Sequence, residues 1–229
     1  MNLLAFETAT ESCSVALLSG DTLIERSELA PRRHAELALP MADALLAEAG
    51  LARAQLDGIA VGRGPGSFTG VRLAVSLAQG LAFALDRPVV TVSSLAALAL
   101  EAPDDDAAIL AVIDARMGEI YAAAYRRTAD GLVEALDDER VCAPETLDLP
   151  PADAWVVVGT GWATYADALR KRLPVAPLHA DGARWPQARH VARLAAPQLA
   201  AGAGLAAEQA LPVYLRDKVA LTLAEQSRR

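Results

Sequence analysis

Residues 62–72 of the chain read GRGPGSFTGVR and join an apolar run at residues 59–61 to a long apolar run at residues 73–85. A glycine-rich connection from a predicted strand to a predicted helix lets the backbone approach a neighbouring group closely, and it directs free N–H groups toward whatever lies over the helix start. The stretch is not a Walker A loop, because no lysine follows its glycines, and the G-x-G-x-x-G pattern of dinucleotide sites fails at Thr69. Two explanations remain open: a tight junction where only glycine fits, or a contact with phosphate or with a partner.

Length and composition point to a protein with a substantial core. The 229 residues suit one large domain or two small ones, and 53% of them are hydrophobic. Charged residues interrupt every long apolar stretch, and the sequence starts in a strand-like run rather than a basic leader, so we expect neither a membrane span nor a signal peptide. Cys13 and Cys142 are too few and too far apart for a disulfide framework. These features predict a cytoplasmic protein.

The charge balance limits the possible partners. The formal net charge is −8 at pH 7. A protein that grips nucleic acid by itself needs lysine and arginine to replace phosphate counterions. The basic clusters at residues 32–33 and 170–172 are short and typical of solvated helix ends. We therefore expect contact with RNA only through another subunit.

The predicted elements occur twice in the same order. The first strand ends at the acid Glu7 and leads into a hairpin, and a strand at residues 108–113 ends at Asp114 and leads into a second hairpin. Strands and helices follow each hairpin, which predicts a duplicated α/β fold with a mixed sheet in each half, divided into residues 1–104 and 105–229. Chance similarity is the alternative, because hairpins are common.

Glu7 and Asp114 are the candidate acids of a nucleotide cleft. Each lies where a strand ends, so the pair could hold a hydrated magnesium ion, as nucleotide-binding duplicated folds require. Both could equally cap their turns. The three histidines are scattered, and no His-x-x-x-His, Cys-x-x-Cys or nucleophile-elbow pattern occurs in the sequence. The residues alone therefore predict no catalytic group and no metal site.

The first two long helices are apolar on nearly every side. Helices are predicted at residues 34–49, 68–85, 162–173 and 187–201, the last interrupted by Pro197, with a further helix capped by Ser93 or Ser94. A helix that is apolar all round is buried on both sides, either under a further layer of the same chain or against another protein. We favour the second interpretation. The predicted partner-facing residues are Leu37, Met41 and Leu45 on the first helix and Phe68, Val71, Val75 and Ala82 on the second.

Four stretches of the chain resemble the bacterial TsaB (YeaZ) family. They are residues 3–17, residues 64–72 with 78–82 behind them, residues 113–121 and residues 212–216. The resemblance covers essentially the whole chain, strongly through Tyr125 and more loosely afterwards. Its signature is the glycine-rich motif, formed by Gly64, Pro65, Gly66, Ser67, Phe68, Thr69, Gly70 and Arg72.

The resemblance implies a duplicated actin/Hsp70-like fold and a role in forming N6-threonylcarbamoyladenosine on tRNAs that read codons beginning with A. It also implies a non-catalytic chain without a cofactor, which pairs with the paralogous transferase TsaD and works with the ATPase TsaE. A homodimer is expected when TsaD is absent, and tRNA is met only through the complex.

Two departures from related sequences bear on the chemistry. TsaD-like sequences carry a His-x-x-x-His metal pair where this chain has Ser94 and Leu98, so the resemblance places the transfer chemistry in the partner. The TsaB family usually has aspartate where this chain has Glu7, which weakens a nucleotide site, so we expect Glu7 and Asp114 to be vestigial acids of a nucleotide cleft. A free-standing phosphotransferase and a metallopeptidase are the alternatives, and the missing histidine pair argues against the second.

Overall fold

The computed structural model describes residues 1–103 and 105–216. The first half contains β1 (Asn2–Glu7), β2 (Ser12–Ser19), β3 (Thr22–Leu29), α1 (His34–Glu48), β4 (Gly58–Gly62), α2 (Phe68–Leu85), β5 (Val89–Val92) and α3 (Ser94–Ala99). The second half contains β6 (Ala108–Arg116), β7 (Glu119–Arg127), β8 (Val133–Ala135), β9 (Arg140–Cys142), β10 (Trp155–Val158), α4 (Thr160–Arg172), β11 (His179–Asp181) and α5 (Ala188–Ala200).

The two sheets share one topology. In the first, with strand order β3-β2-β1-β4-β5, the meander β1–β3 is antiparallel and β4 and β5 add in parallel. In the second, with strand order β11-β10-β6-β7-β8, β6 to β8 are antiparallel, β10 and β11 add in parallel, and β9 pairs with β7. The mixed sheet expected in each half is therefore present, and the α/β prediction is confirmed.

Helices cover both faces of each sheet, but the last helix of each half covers the sheet of the other half. Alternate residues of β1 point to opposite faces, so Leu4 and Phe6 pack under α1 and α2 while Leu3 and Ala5 pack under α5. In the second sheet one face packs against α3 and the other against α4. Because α3 follows β5 and α5 follows β11, the two halves exchange their terminal helices.

An ionic cluster joins these two exchanged helices. The Glu101 carboxylate, just after α3, lies 2.7 Å from His190 Nε2 on α5 and also contacts the Arg189 guanidinium. Arg189 pairs in turn with Glu25 of β3 at 2.7 Å. The crossing point of the chain is thus fixed by charge as well as by apolar packing.

Serine caps account for the starts of two helices. Ser67 and Ser93 cap α2 and α3 with their side-chain oxygens, and Ser94 is already the first helical residue. The expected interruption at Pro197 is absent, because α5 continues through this exposed proline. Residues 211–215 pair with no sheet in the described part of the chain.

Helix α2 has the length and composition of a membrane-spanning segment, with a mean hydropathy of 1.4 over 18 residues. One side of it packs on the first sheet, where Ala74, Val75 and Ala78 belong to the core. A core helix passes the same test of length and composition, so this feature carries no argument for a membrane.

Candidate functional site: the cleft and the two outer helices

The glycine-rich turn is fixed to the first hairpin by one backbone hydrogen bond and one from a side chain. Ser67 N donates to Ala9 O at 2.7 Å, and Thr8 Oγ1 donates to Gly70 O at 2.7 Å. Ser67 Oγ also accepts from Gly70 N at 3.0 Å, which caps α2. The motif therefore holds the start of α2 against the end of β1.

Three of the glycines are required by close approach. A Cβ atom would lie 2.0 Å from Thr8 O at Gly70, 2.4 Å from Ala9 O at Gly66 and 2.0 Å from Glu7 Oε2 at Gly62. No side chain fits at such distances, so these glycines make room for the first hairpin. Of the two explanations that the sequence left open, the tight junction accounts for these positions.

Glu7 is a buried turn acid. Its Oε1 accepts from Ala9 N at 2.7 Å and its Oε2 accepts from Ser94 Oγ at 2.7 Å. Burial raises the pKa of this carboxyl above its ordinary value, although these hydrogen bonds oppose the shift. Glu7 lies beneath the residues that line the cleft, so the expectation of a cleft acid is wrong for this residue. The physical reason is that the close packing of Gly62 encloses the carboxylate.

Asp114 lines the cleft and also caps its turn. Its Oδ1 accepts from Arg116 N at 2.8 Å, and its Oδ2 accepts from the Arg116 guanidinium at 3.0 Å. The same guanidinium contacts Glu11 at 2.6 Å. Asp114 therefore pairs with its neighbour Arg116, and Glu7 is buried, so the two carboxylates are not free together to hold a hydrated magnesium ion.

The cleft between the two halves has a volume of about 560 Å³. Its walls are the β1–β2 turn, the start of α1, the glycine-rich turn with the start of α2, the β6–β7 turn, and residues 213–216. At its mouth the Arg72 guanidinium lies 3.5 Å from the ring centre of Phe68, and its Nε donates to Tyr214 Oη at 2.5 Å. The Arg72 guanidinium is thus held by two aromatic side chains of the cleft wall.

Ser94 and Leu98, which the resemblance places at the positions of a histidine pair in TsaD-like sequences, serve the fold. Ser94 donates to Glu7, and Leu98 is fully buried in the apolar cluster between α3 and the second sheet. Within residues 1–103 and 105–216, no group of three His, Cys, Asp or Glu side chains is placed to hold a metal ion.

The residues predicted to face a partner divide into two groups. Leu45, Val71, Val75 and Ala82 are buried against the first sheet, so the prediction that they face another protein is wrong. Leu37 and Met41 are half-buried against the same core, and Phe68 is 54% exposed at the cleft mouth. The sequence of a helix that is apolar on nearly all sides does not show which side packs against its own sheet. In the structure, the side that contains Val71 and Val75 packs there.

The outward face of these helices contains residues that the sequence reasoning missed. Phe83 is 83% exposed and Leu39 is 39% exposed. Between them along α2 lie the half-buried Leu73 and Leu77 and the exposed small residues Gly80 and Ala84. Positions 73, 77, 80 and 84 are spaced three or four residues apart and therefore lie on one side of the helix. This spacing was the signal in the sequence that could have identified the outward face. We call Leu39, Leu73, Leu77, Gly80, Phe83 and Ala84 the outer face.

Duplicated mixed sheets, exchanged helices and a cleft between two hairpin turns define an α/β protein of the actin-like class. The family model described as TsaD, tRNA N6-adenosine threonylcarbamoyltransferase, matches residues 27–223. A protein of Escherichia coli (strain K12) named tRNA threonylcarbamoyladenosine biosynthesis protein TsaB is 40% identical over 225 residues, 96% of each chain. A protein of the same name from Haemophilus influenzae is 39% identical over 232 residues, 96% of this chain and 95% of its own.

A solved structure agrees with the sequence relatives. YeaZ from Pseudomonas aeruginosa is 46% identical and superposes with a TM-score of 0.86, over 93% of this chain and 99% of that one. The chain belongs to the TsaB (YeaZ) family, which confirms the resemblance drawn from the four sequence stretches.

Proposed function

We propose that this chain is a non-catalytic subunit of the assembly that installs the threonylcarbamoyl group on N6 of the adenosine next to the anticodon, in tRNAs that read codons beginning with A. The observation that carries the proposal is the 40% identity over 96% of both chains with a relative named for this biosynthesis. Its partner is the paralogous transferase TsaD, and the ATPase TsaE joins the larger complex. The cytoplasm is the location that fits this role.

The non-catalytic role is supported by what occupies the positions of the paralogue's metal ligands. Leu98 has no atom that could bind iron or zinc, and Ser94 is committed to the buried Glu7 carboxylate. The two acids that a phosphotransferase would need around Mg-ATP already accept hydrogen bonds within the chain. Glu7 accepts from Ala9 N in its own turn, and Asp114 accepts from the Arg116 guanidinium. We therefore expect purified protein without stoichiometric iron or zinc by elemental analysis. A transition metal in each chain would contradict this.

A free-standing phosphotransferase is the alternative activity, and calorimetry separates it from the proposal. We expect no ATP or ADP site with a dissociation constant at or below about 10 μM, which corresponds to roughly −7 kcal/mol. A tighter site in the isolated chain would favour the phosphotransferase.

The outer face of α1 and α2 is the surface that we assign to the partner. Its exposed Phe83 and Leu39 supply apolar area, and Gly80 and Ala84 let a second helix approach closely. Two such helices from each protein could pack as a four-helix layer. Since TsaD is a paralogue, a second copy of this chain could use the same face in its absence, and the two complexes would exclude each other. With a net charge of −8, the chain is expected to meet tRNA only through the complex.

Gly80→Glu is a direct probe of this face. A Cβ atom at Gly80 meets nothing within 4 Å, so the substitution leaves the folded chain undisturbed while placing a charge in the middle of the outer face. We expect association with TsaD and with a second copy to weaken by about tenfold or more, because the charge would be desolvated at the interface. Pull-down with TsaD and analytical ultracentrifugation of the chain alone measure the two associations.

The matched control is Ala200→Glu, which adds the same charge at an exposed position on α5, on the opposite face of the first sheet. We expect it to associate normally. A transfer assay with TsaD and TsaE should lose activity without this chain and with the Gly80→Glu variant. A Gly80→Glu variant that associates and supports transfer as well as the control would place the partner elsewhere.

A further inference from the structure

Residues 211–216, LPVYLR, lie across the two halves of the molecule. On the first half, Val213 N donates to Arg63 O at 2.9 Å, directly in the glycine-rich turn. Tyr214 follows, with its ring centre 5.9 Å from that of Phe68 and its hydroxyl accepting from Arg72 Nε. The segment is thus attached to the glycine-rich turn through its backbone and to the start of α2 through the Tyr214 side chain.

The other end of this segment is attached to the second half. Arg216 Nε donates to Glu119 Oε2 at 3.0 Å, and its terminal nitrogen donates to the same oxygen at 2.5 Å and to Ala115 O at 3.0 Å. Ala115 and Glu119 belong to β6 and β7, on either side of the turn between them. The Arg216 side chain is only 18% exposed, so water competes weakly with these hydrogen bonds.

We propose that residues 211–216 are a clamp that joins the α2 start to the β6–β7 turn and holds the cleft closed. The halves are also connected elsewhere, through the apolar packing and the Glu101 ionic cluster of the exchanged helices α3 and α5 and through an ion pair between Arg63 and Glu139 at 3.1 Å. The clamp lies at the cleft mouth, where Val213, Tyr214 and Arg216 form part of the wall. This inference concerns the motion of the chain itself and does not depend on the proposed partner.

A second ion pair, between Arg116 and Glu11, crosses the cleft. The solvent exposure of Arg116 explains why we assign closure of the cleft to the clamp instead. Arg116 meets Glu11 at 2.6 Å, but the Arg116 side chain is 71% exposed. Water and salt screen such a pair strongly. The clamp instead combines a backbone hydrogen bond, an aromatic contact and a shielded guanidinium on one short segment.

Hydrogen exchange tests the clamp in the full chain. Arg216→Ala removes all side-chain hydrogen bonds of this attachment to the second half, and Glu119→Ala removes those to the carboxylate but leaves those to backbone oxygens of the β6–β7 turn, while the Val213 amide reports on the first half. We expect exchange at Val213 to become about tenfold faster in Arg216→Ala and to rise by less in Glu119→Ala, because a segment released at one end frays along its whole length. The double variant should exchange no faster than Arg216→Ala, since that change already removes the contact that Glu119→Ala weakens. Arg26→Ala, which breaks the exposed pair with Glu48 on the first half, should leave Val213 unchanged.

A distance measurement tests whether the cleft opens. Spin labels at Ser76→Cys on α2 and Asp167→Cys on α4, both exposed, report on the two halves in a Cys142→Ser background, with the fully buried Cys13 left in place. Arg216→Ala should broaden and shift the distance distribution, and Arg26→Ala should not. Circular dichroism establishes that each variant is folded. Unchanged exchange at Val213, or an unchanged distance distribution in a folded Arg216→Ala variant, would overturn the proposal.

Discussion

Gly70 and Gly80 occupy one helix in opposite surroundings. A Cβ atom at Gly70 would lie 2.0 Å from the Thr8 carbonyl oxygen, whereas one at Gly80 meets nothing within 4 Å. We expect Gly70→Ala to destabilise the fold by about 3 kcal/mol, because backbone cannot move aside as a flexible side chain can. Gly80→Ala should stabilise it by about 0.5–1 kcal/mol, because alanine is the better helix former. Urea unfolding of both variants measures the difference, and equal effects would contradict this account of the glycine motif.

The buried Glu7 carboxyl predicts a specific pH dependence. Burial is the largest influence on the pKa of this carboxyl and raises it above its ordinary value of 4.5. The folded state therefore binds the proton more tightly than the unfolded state does. The stability that this group contributes is fully present below pH 4.5 and is lost as the pH rises through the raised pKa.

Glu7→Gln keeps the shape of the side chain and removes its titration. The amide can still accept from Ala9 N and donate to Ser94 Oγ. We expect the variant to gain stability relative to the parent chain as the pH rises from about 4 to about 8. Urea unfolding across that range measures the difference in free energy, which should grow with pH. A difference that stays constant would show that the carboxyl does not titrate differently in the two states.

At the scale of elements, the two sides of α2 respond differently to the same charge. Val75 is buried against the first sheet, and Gly80 faces outward. Val75→Glu should destabilise the fold by about 4 kcal/mol, because an unpaired charge is costly in an apolar core. Gly80→Glu should leave the free energy of unfolding within about 1 kcal/mol of the parent. Thermal unfolding of the pair decides the assignment, and a stable Val75→Glu variant would return this side of α2 to the list of partner surfaces.

The sequence was sufficient for the bounds of α2 and insufficient for the faces that this helix presents. The bounds of α2, Phe68–Leu85, follow from a capping serine and a continuous apolar pattern, and both are local. The burial of Val75 and the exposure of Phe83 depend on where the sheet lies, which a helix that is apolar on nearly every side does not encode. The packing of α3 on the second sheet is likewise invisible locally, since it depends on contacts with strands that follow later in the chain.

The candidate site was likewise only partly predictable from the sequence. The glycine motif was recognisable because the residues that define a turn are consecutive in the chain. The burial of Glu7 could not be recognised in the sequence, because it depends on Gly62 and Ser94, which are distant from Glu7 along the chain. The contact of Tyr214 with Arg72 joins residues 142 positions apart, and no local pattern reports it.

At the scale of the whole molecule, the exchange of terminal helices predicts cooperative unfolding. The first sheet is covered by α5 and the second by α3, so neither core is complete without the other half. We expect a single calorimetric transition in which the calorimetric and van't Hoff enthalpies agree. Two resolved transitions would mean that the halves unfold as separate domains.

The same exchange of helices means that the chain could be divided into two complementary fragments. A cut in the connection between α3 and β6 would give one fragment with α3 but no α5 to cover its sheet, and a second fragment with the reverse deficit. Each fragment would expose the apolar area that the other is built to cover, and aggregation would follow when either is made alone. Produced together, the fragments should find each other and reconstitute the cleft between them. Their reassembly would then report, as a two-part sensor does, on whether both pieces are present in the same compartment.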